Sequence, residues 1–226
     1  MRVITQNVSQ LATDPDGIAT NQSGLVAGDE LALDGVLASP VQGDGRQYVD
    51  LRGDYGVGSV IEFTTGVTGS TALATIVGRD LYNAEVTEVV TLPGASLTVS
   101  STTVFGYISS ITVDGAATNL SAGIPAGEQL APWIPMDHNA SGINVTVSVE
   151  LVSGTVNYTM DHTLQGDLLT NGPEPDNFFA DTVMSAETAS SVAQIAQPVT
   201  ASRIKINSGT AAVLRIKYLQ AGAGNK

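Results

Sequence analysis

The run INVTVSVEL alternates without a break. Ile143, Val145, Val147, Val149 and Leu151 fall on one side, and Asn144, Thr146, Ser148 and Glu150 on the other. Period two built on β-branched residues marks a strand with one buried face. The next run, TVNYTMDHT, repeats the pattern with Val156, Tyr158, Met160 and His162 on one face. Ser153-Gly154 lies between them and predicts a two-residue hairpin turn. That turn sets Leu151 opposite Val156, Val149 opposite Tyr158, Val147 opposite Met160 and Val145 opposite His162, with both apolar faces on one side. The run ASRIKINSGTAAVLRIKYLQ puts Ile204, Ile206, Leu214, Ile216 and Tyr218 at even positions and Arg203, Lys205, Arg215 and Lys217 at odd ones. A second hairpin, with an odd-length loop around Ser208-Gly209, satisfies this parity and gathers the four basic residues on an outer face.

Strand signals also dominate the first half, less regularly. They predict strands at Gln47–Leu51, Ser59–Thr65, Thr71–Arg79, Glu85–Leu92, Ser96–Val104 and Tyr107–Asp114, punctuated by Gly, Pro, Asn and Asp. GRDLYNAEVTE reads as a hairpin tip after Gly78. The best helical candidate, DTVMSAETASSVAQIA, is rich in poor helix formers and reads as mostly extended or irregular, with room for a short helical turn. Three prolines, Pro125, Pro132 and Pro135, mark a linker, since each removes a backbone donor. The expected organisation is all-β: an extended N-terminal arm over residues 1–28, a first β domain over 29–122, a Pro-rich linker over 123–142 and a β-sandwich domain over 143–226. Each domain is a sandwich or partial barrel. The polar arm is expected to order only against a neighbour.

Composition narrows the function classes. Cysteine is absent, which excludes disulfides and thiolate metal sites. No stretch approaches the roughly 18 apolar residues of a membrane helix, and the start lacks the apolar run of a secretory signal. The expectation is a soluble chain made in a cytoplasm, without a membrane partner. The net charge is −13, unevenly placed. The first 202 residues hold four basic and all 22 acidic residues, a net −18, and the remainder carries +5. An acidic body repels phosphate backbones and argues against nucleic acid. The opposite sign at the end favours docking on another acidic surface, with Arg203, Lys205, Arg215 and Lys217 as candidate interaction residues. The same ladder also reads as protection of an edge strand against aggregation.

Candidate chemistry is sparse. The nucleophile elbow, the P-loop and the zincin helix are all missing. Met-Asp-His occurs twice and holds both histidines, His138 and His162. Adjacent residues of a strand face opposite ways, so Asp161 and His162 do not form a chelate or a dyad. His162 is expected to be half-buried with a hydrogen-bond partner, and no metal or other cofactor is expected. Loop carboxylates in TDPDG, QGDGRQYVDLRGDYG and NGPEPDNFFAD raise the question of calcium, but none has the spacing of an EF-hand loop. Trp133, the only tryptophan, reads as a plug between domains or as the platform of a sugar-binding module.

The runs LALDGVLASPVQGDGRQYVDLRGDYGVGSVIEFTTG, ALATIVGRDLYNAEVTEVVTLPG and TTVFGYISSITVDGAA resemble virion structural proteins of tailed bacteriophages. INVTVSVELVSGTVNYTMDHTL and QPVTASRIKINSGTAAVLRIKYLQAG are similar to the closing β-sandwich of the same group. The resemblance spans most of Asn21 to Gly222. It implies a non-enzymatic building block of the virion: a capsid decoration (cement) protein or a head–neck collar subunit. It further implies homo-oligomers, trimers by analogy, in contact with major capsid, neck or tail proteins. The alternatives are a tail or fibre component and a carbohydrate-binding β-sandwich module.

Overall fold

The computed structural model describes residues 2–43, 45–66, 70–136, 144–165, 177–195 and 198–221. The chain opens with β1 (Arg2–Ser9) and β2 (Asp14–Gln22), then β3 (Val49–Asp50) and a short helix α1 (Leu51–Tyr55). There follow β4 (Glu62–Thr64), β5 (Leu73–Arg79), β6 (Glu85–Thr91), β7 (Thr98–Ser100), β8 (Tyr107–Val113) and β9 (Leu120–Ile124). The last part holds β10 (Gln129–Leu130), β11 (Ile134–Pro135), β12 (Asn144–Thr163), β13 (Phe178–Ala180), β14 (Ser191–Ile195) and β15 (Ala201–Ala221). The fold is all-β, as the patterning predicts, and its ladders are antiparallel. The described residues of DTVMSAETASSVAQIA supply the strand β14 and no helix.

Two compact units divide the chain: Met1–Gln10 with Tyr55–Val57 and Gly127–Lys226, and Leu11–Asp54 with Gly58–Ala126. The change from one to the other near Ala126 falls within the 123–142 stretch. The second unit is a pair of four-stranded sheets, β2-β9-β4-β7 and β3-β8-β5-β6. Phe63, Ala122 and Leu120 of the first sheet and Ala74, Ile76, Ile108 and Ile111 of the second are fully buried. The tip after Gly78 forms as predicted. Arg79 pairs with Glu85, and the Asp80 carboxylate accepts the amides of Tyr82 at 2.8 Å and Ala84 at 2.9 Å. Such a side-chain-to-backbone turn explains why an aspartate sits there.

The other unit departs from expectation in two places. β12 and β15 are single strands of 20 and 21 residues paired along their length, not two hairpins. Val147 lies opposite Tyr218, Leu151 opposite Leu214, and Met160 opposite Ile204. Register shifts between Leu151 and Ser153, Ser153 and Thr155, and Asn157 and Tyr158 absorb the break in alternation. The buried face of β12 therefore passes from Val145, Val147 and Val149 to Val156, Tyr158, Met160 and His162, while β15 keeps even residues inside on either side of its exposed stretch Ser208–Ala211. Gly154 takes φ +78°, and a Cβ there would strike the carbonyls of Thr210 and Ala211 across the ladder. The residue that read as a turn is thus the site of a bulge.

The second departure is the arm. Arg2–Ser9 pairs with Val213–Gln220 of the same chain, Arg2 opposite Gln220 and Ser9 opposite Val213. Val8 is fully buried there. An eight-residue ladder satisfies the backbone groups that a free arm would leave to water. The central strands of this sheet run β1-β15-β12, with β14 continuing beyond β12 at Val145–Val149 and β13 at Asp161–Thr163.

Candidate functional site

The register of β12 on β15 sets His162 opposite Ser202 and Asp161 opposite Arg203. Alternation sends the two pairs to opposite faces of the sheet. On one face His162 is buried, with its Nδ1 2.7 Å from the Ser202 hydroxyl and its Nε2 2.9 Å from Asp181 Oδ2. Asp181 follows β13, and its other oxygen accepts the amides of Val183 at 2.7 Å and Met184 at 2.8 Å. Burial pushes the Asp181 carboxyl up, but the hydrogen bond from His162 and those two amides outweigh it and hold it below its usual range. In the tautomer that gives Nε2–H to the carboxylate, Nδ1 accepts the Ser202 hydroxyl proton.

These are the residue types of a hydrolytic triad, so access decides what they can do. A cavity of about 330 Å³ lies beside them, lined by His162, Phe179, Asp181, Thr182 and Gln194. Ser202 does not line it and has no exposed surface. A nucleophile must reach an attacking position on its substrate, and this serine is enclosed between strands. The line satisfies a buried histidine and ties β13 to β12 and β15. His162 thus has the hydrogen-bond partners that its pattern predicts, and it is fully rather than half buried.

The other face corrects the basic ladder. Arg203 is buried, with Nε 3.5 Å from Asp161 Oδ2 and its guanidinium 4.4 Å from the centre of the Trp133 ring and 5.3 Å from that of Phe178. The ion pair and the ring faces compensate desolvation of the guanidinium. Burial raises the Asp161 carboxyl, and Arg203 and Lys205 only partly offset it. Lys205 is half-buried and donates to Glu128 at 2.9 Å. Arg215 is exposed and bonds Glu150 at 3.1 Å. Lys217 is exposed and makes no ion pair among the described residues. The ladder is therefore two structural cations and two surface cations.

Trp133 is 4% exposed. A ring so covered by Arg203 and Phe178 offers no platform to a sugar. Its neighbours Ile134 and Pro135 form β11 against Ala201 and Ser202, within one unit. Among the described residues no group of acidic or histidine side chains is arranged to hold a metal ion. His138 of the first Met-Asp-His copy and most of NGPEPDNFFAD lie outside the described residues.

Arg215 and Lys217 stand on an open sheet face. Val3, Thr5 and Asn7 of β1, Ser148 and Glu150 of β12, and Val192 and Gln194 of β14 share their side of the ladder. Val3 is 52% and Val192 63% exposed. The face is exposed, mostly small-residued and carries Arg215 and Lys217 on an acidic chain.

Sequence reasoning missed Ser202, Asp181 and Asp161 as interacting groups. Only the pairing of β12 with β15 brings Ser202 and Arg203 to them, and the hairpin reading hides it.

No family model matches the chain, and no curated protein matches it. A chain in a solved structure of infectious bursal disease virus, Gx strain, aligns with 98% of this chain and 71% of its own length at 12% identity. The TM-score is 0.24, too low for a shared fold, and the likeness carries no argument here.

Proposed function

We propose that the chain is a non-enzymatic structural protein of a tailed-bacteriophage virion. Its role is that of a capsid decoration (cement) or head–neck collar subunit, working as a homo-oligomer, favoured as a trimer, on capsid, neck or tail proteins. The motif resemblance supports the virion setting. The observation that carries the docking role is the open face of β1, β15, β12 and β14, where Lys217 and Arg215 stand on a chain of net charge −13. Such a face meets an acidic partner surface by charge complementarity, and its small Val, Thr and Ser side chains allow close approach. The enclosure of Ser202 supports the non-enzymatic reading.

Light scattering of the purified chain, and co-sedimentation with phage capsids or necks, test this role. A multimer that binds particles is expected, with Arg215→Glu/Lys217→Glu weakening binding about tenfold or more, and raised salt acting in the same direction. A chain that stays monomeric at high concentration and binds no particle would overturn the proposal.

A further inference from the structure

On the outer face of the β3-β8-β5-β6 sheet, β8 slips by one residue against β5. Val77 pairs with Ser110 and Gly78 with Ile108, so Ser109 is the extra residue of a β-bulge. In an unbroken strand Ser109 and Ser110 would face opposite sides. Here Ile108 and Ile111 are both buried, and Tyr107, Ser109 and Ser110 all line one cleft of about 610 Å³. A Cβ on Gly78 would strike the Tyr107 carbonyl, so the glycine leaves room for the bulge. The bulge re-aims a side chain, a use such features have beside binding sites.

Arg46, Gln47 and Glu30 line the same cleft. The Arg46 carbonyl accepts the Gln42 amide at 2.8 Å. The Tyr107 ring stacks on Tyr48, with centroids 5.2 Å apart and planes at 25°. A second cleft of about 300 Å³ shares Tyr107 and Ser109 and continues past Arg79, Glu85 and Thr87. Tyr107 and Ser109 stand where the two clefts meet, on an elongated polar surface.

The chemistry of this surface selects its ligand. Among the described lining residues Glu30 and Glu85 balance Arg46 and Arg79, which leaves no net positive charge to attract a polyanion, and the acidic chain repels one. At Tyr107 and Ile108, β8 is hydrogen-bonded on both sides, to β5 and to β3, and β5 is bonded to β6 and β8; β6, at the far end of the second cleft, is the end strand of the sheet. An extended peptide therefore finds no free backbone edge beside Tyr107 and cannot add as a strand there. What remains is side-chain chemistry around a tyrosine held by stacking: the hydroxyls of Tyr107, Ser109, Ser110 and Thr87, the Gln47 amide, two guanidiniums and two carboxylates, with Ser109 already donating to the Val77 carbonyl and Gln47 to that of Ser39. Polyhydroxylated rings match that set, with hydroxyls for the polar groups and apolar faces for an aromatic ring.

We propose that this groove binds a neutral oligosaccharide chain across Tyr107, with Gln47, Arg46, Ser109 and Ser110 reading its hydroxyls. The proposal stands independently of the virion role. Its test is an NMR titration of the isotope-labelled full chain with maltohexaose, cellohexaose and chitohexaose. A neutral unstructured peptide and dextran sulfate serve as comparators. At least one hexasaccharide is expected to shift the amides of Gln47, Tyr107, Ser109 and Ser110 saturably. Tyr107→Ala and Gln47→Ala are each expected to weaken that binding at least about fivefold. Tyr107→Phe keeps the stack on Tyr48 and is expected to lose less. If Tyr107→Ala does not fold, Gln47→Ala carries the test. Three results would each overturn the proposal: no shift at about 10 mM of any hexasaccharide, tighter binding of the peptide or dextran sulfate at these residues, or undiminished affinity in the variants that fold.

Discussion

Arg203 and Lys217 are odd-numbered cations of one strand, yet their substitution is expected to differ greatly. Arg203→Ala leaves Asp161 buried without its partner and uncovers the Trp133 ring. Removing one member of a buried pair costs on the order of 3–5 kcal/mol, which urea unfolding should read directly. Lys217→Ala, at an exposed position without an ion pair among the described residues, should stay within about 0.5 kcal/mol of the parent. Asp181 gives a pH signature. Its carboxyl titrates lower in the fold than in the unfolded chain, so the stability it adds is present above the ordinary carboxylate pKa and is lost as pH falls through its folded value. Asp181→Asn should therefore be less stable than the parent near neutrality, by about 2 kcal/mol for a charged hydrogen bond. That difference should shrink as the pH drops below about 4, as thermal unfolding across acid pH would show.

The two long strands make a different kind of prediction, about pairing. Cross-strand NOEs are expected between Val147 and Tyr218 and between Met160 and Ile204, and not between Val147 and Met160 as a hairpin would require. Parity shows how near the sequence came to this answer. Inward residues of β12 change from odd to even around Ser153-Gly154, while those of β15 stay even. Pairing two such strands demands a slip of one residue, and the register supplies it. Alternation, burial and the all-β class were therefore readable, as were β5, β6 and β8 nearly to the residue. What alternation leaves open is whether Ser-Gly turns the chain or bulges it, because glycine serves both. The site was hidden for the same reason: Ser202 and Arg203 meet His162 and Asp161 only through long-range pairing. The serine bulge in β8 was equally silent, since Ser109-Ser110 reads as ordinary strand until Gly78 is placed beside it.

At the scale of the molecule, the first residues belong to the same unit as the last strand. Deleting residues 1–9 is expected to strip an edge strand from β15 and to expose the surface that Val8 buries, worth about 1.5–3 kcal/mol for that side chain alone. Lowered unfolding temperature of the truncated chain would show it, whereas a dispensable arm would leave it unchanged. The pairing of Arg2 with Gln220 also orders events in time. On a ribosome, every residue of the unit built from Leu11–Asp54 and Gly58–Ala126 emerges before β15 is synthesised. At translation speeds of about 5–20 residues per second, β1 waits roughly 10–40 s for its partner. During that interval Ile4 and Val8 face the surroundings unpaired, separated by Thr5, Gln6 and Asn7. The polar residues between them are what keep a waiting strand from finding the wrong neighbour, so their replacement by valines should lower the yield of folded chain during synthesis before it alters the finished fold.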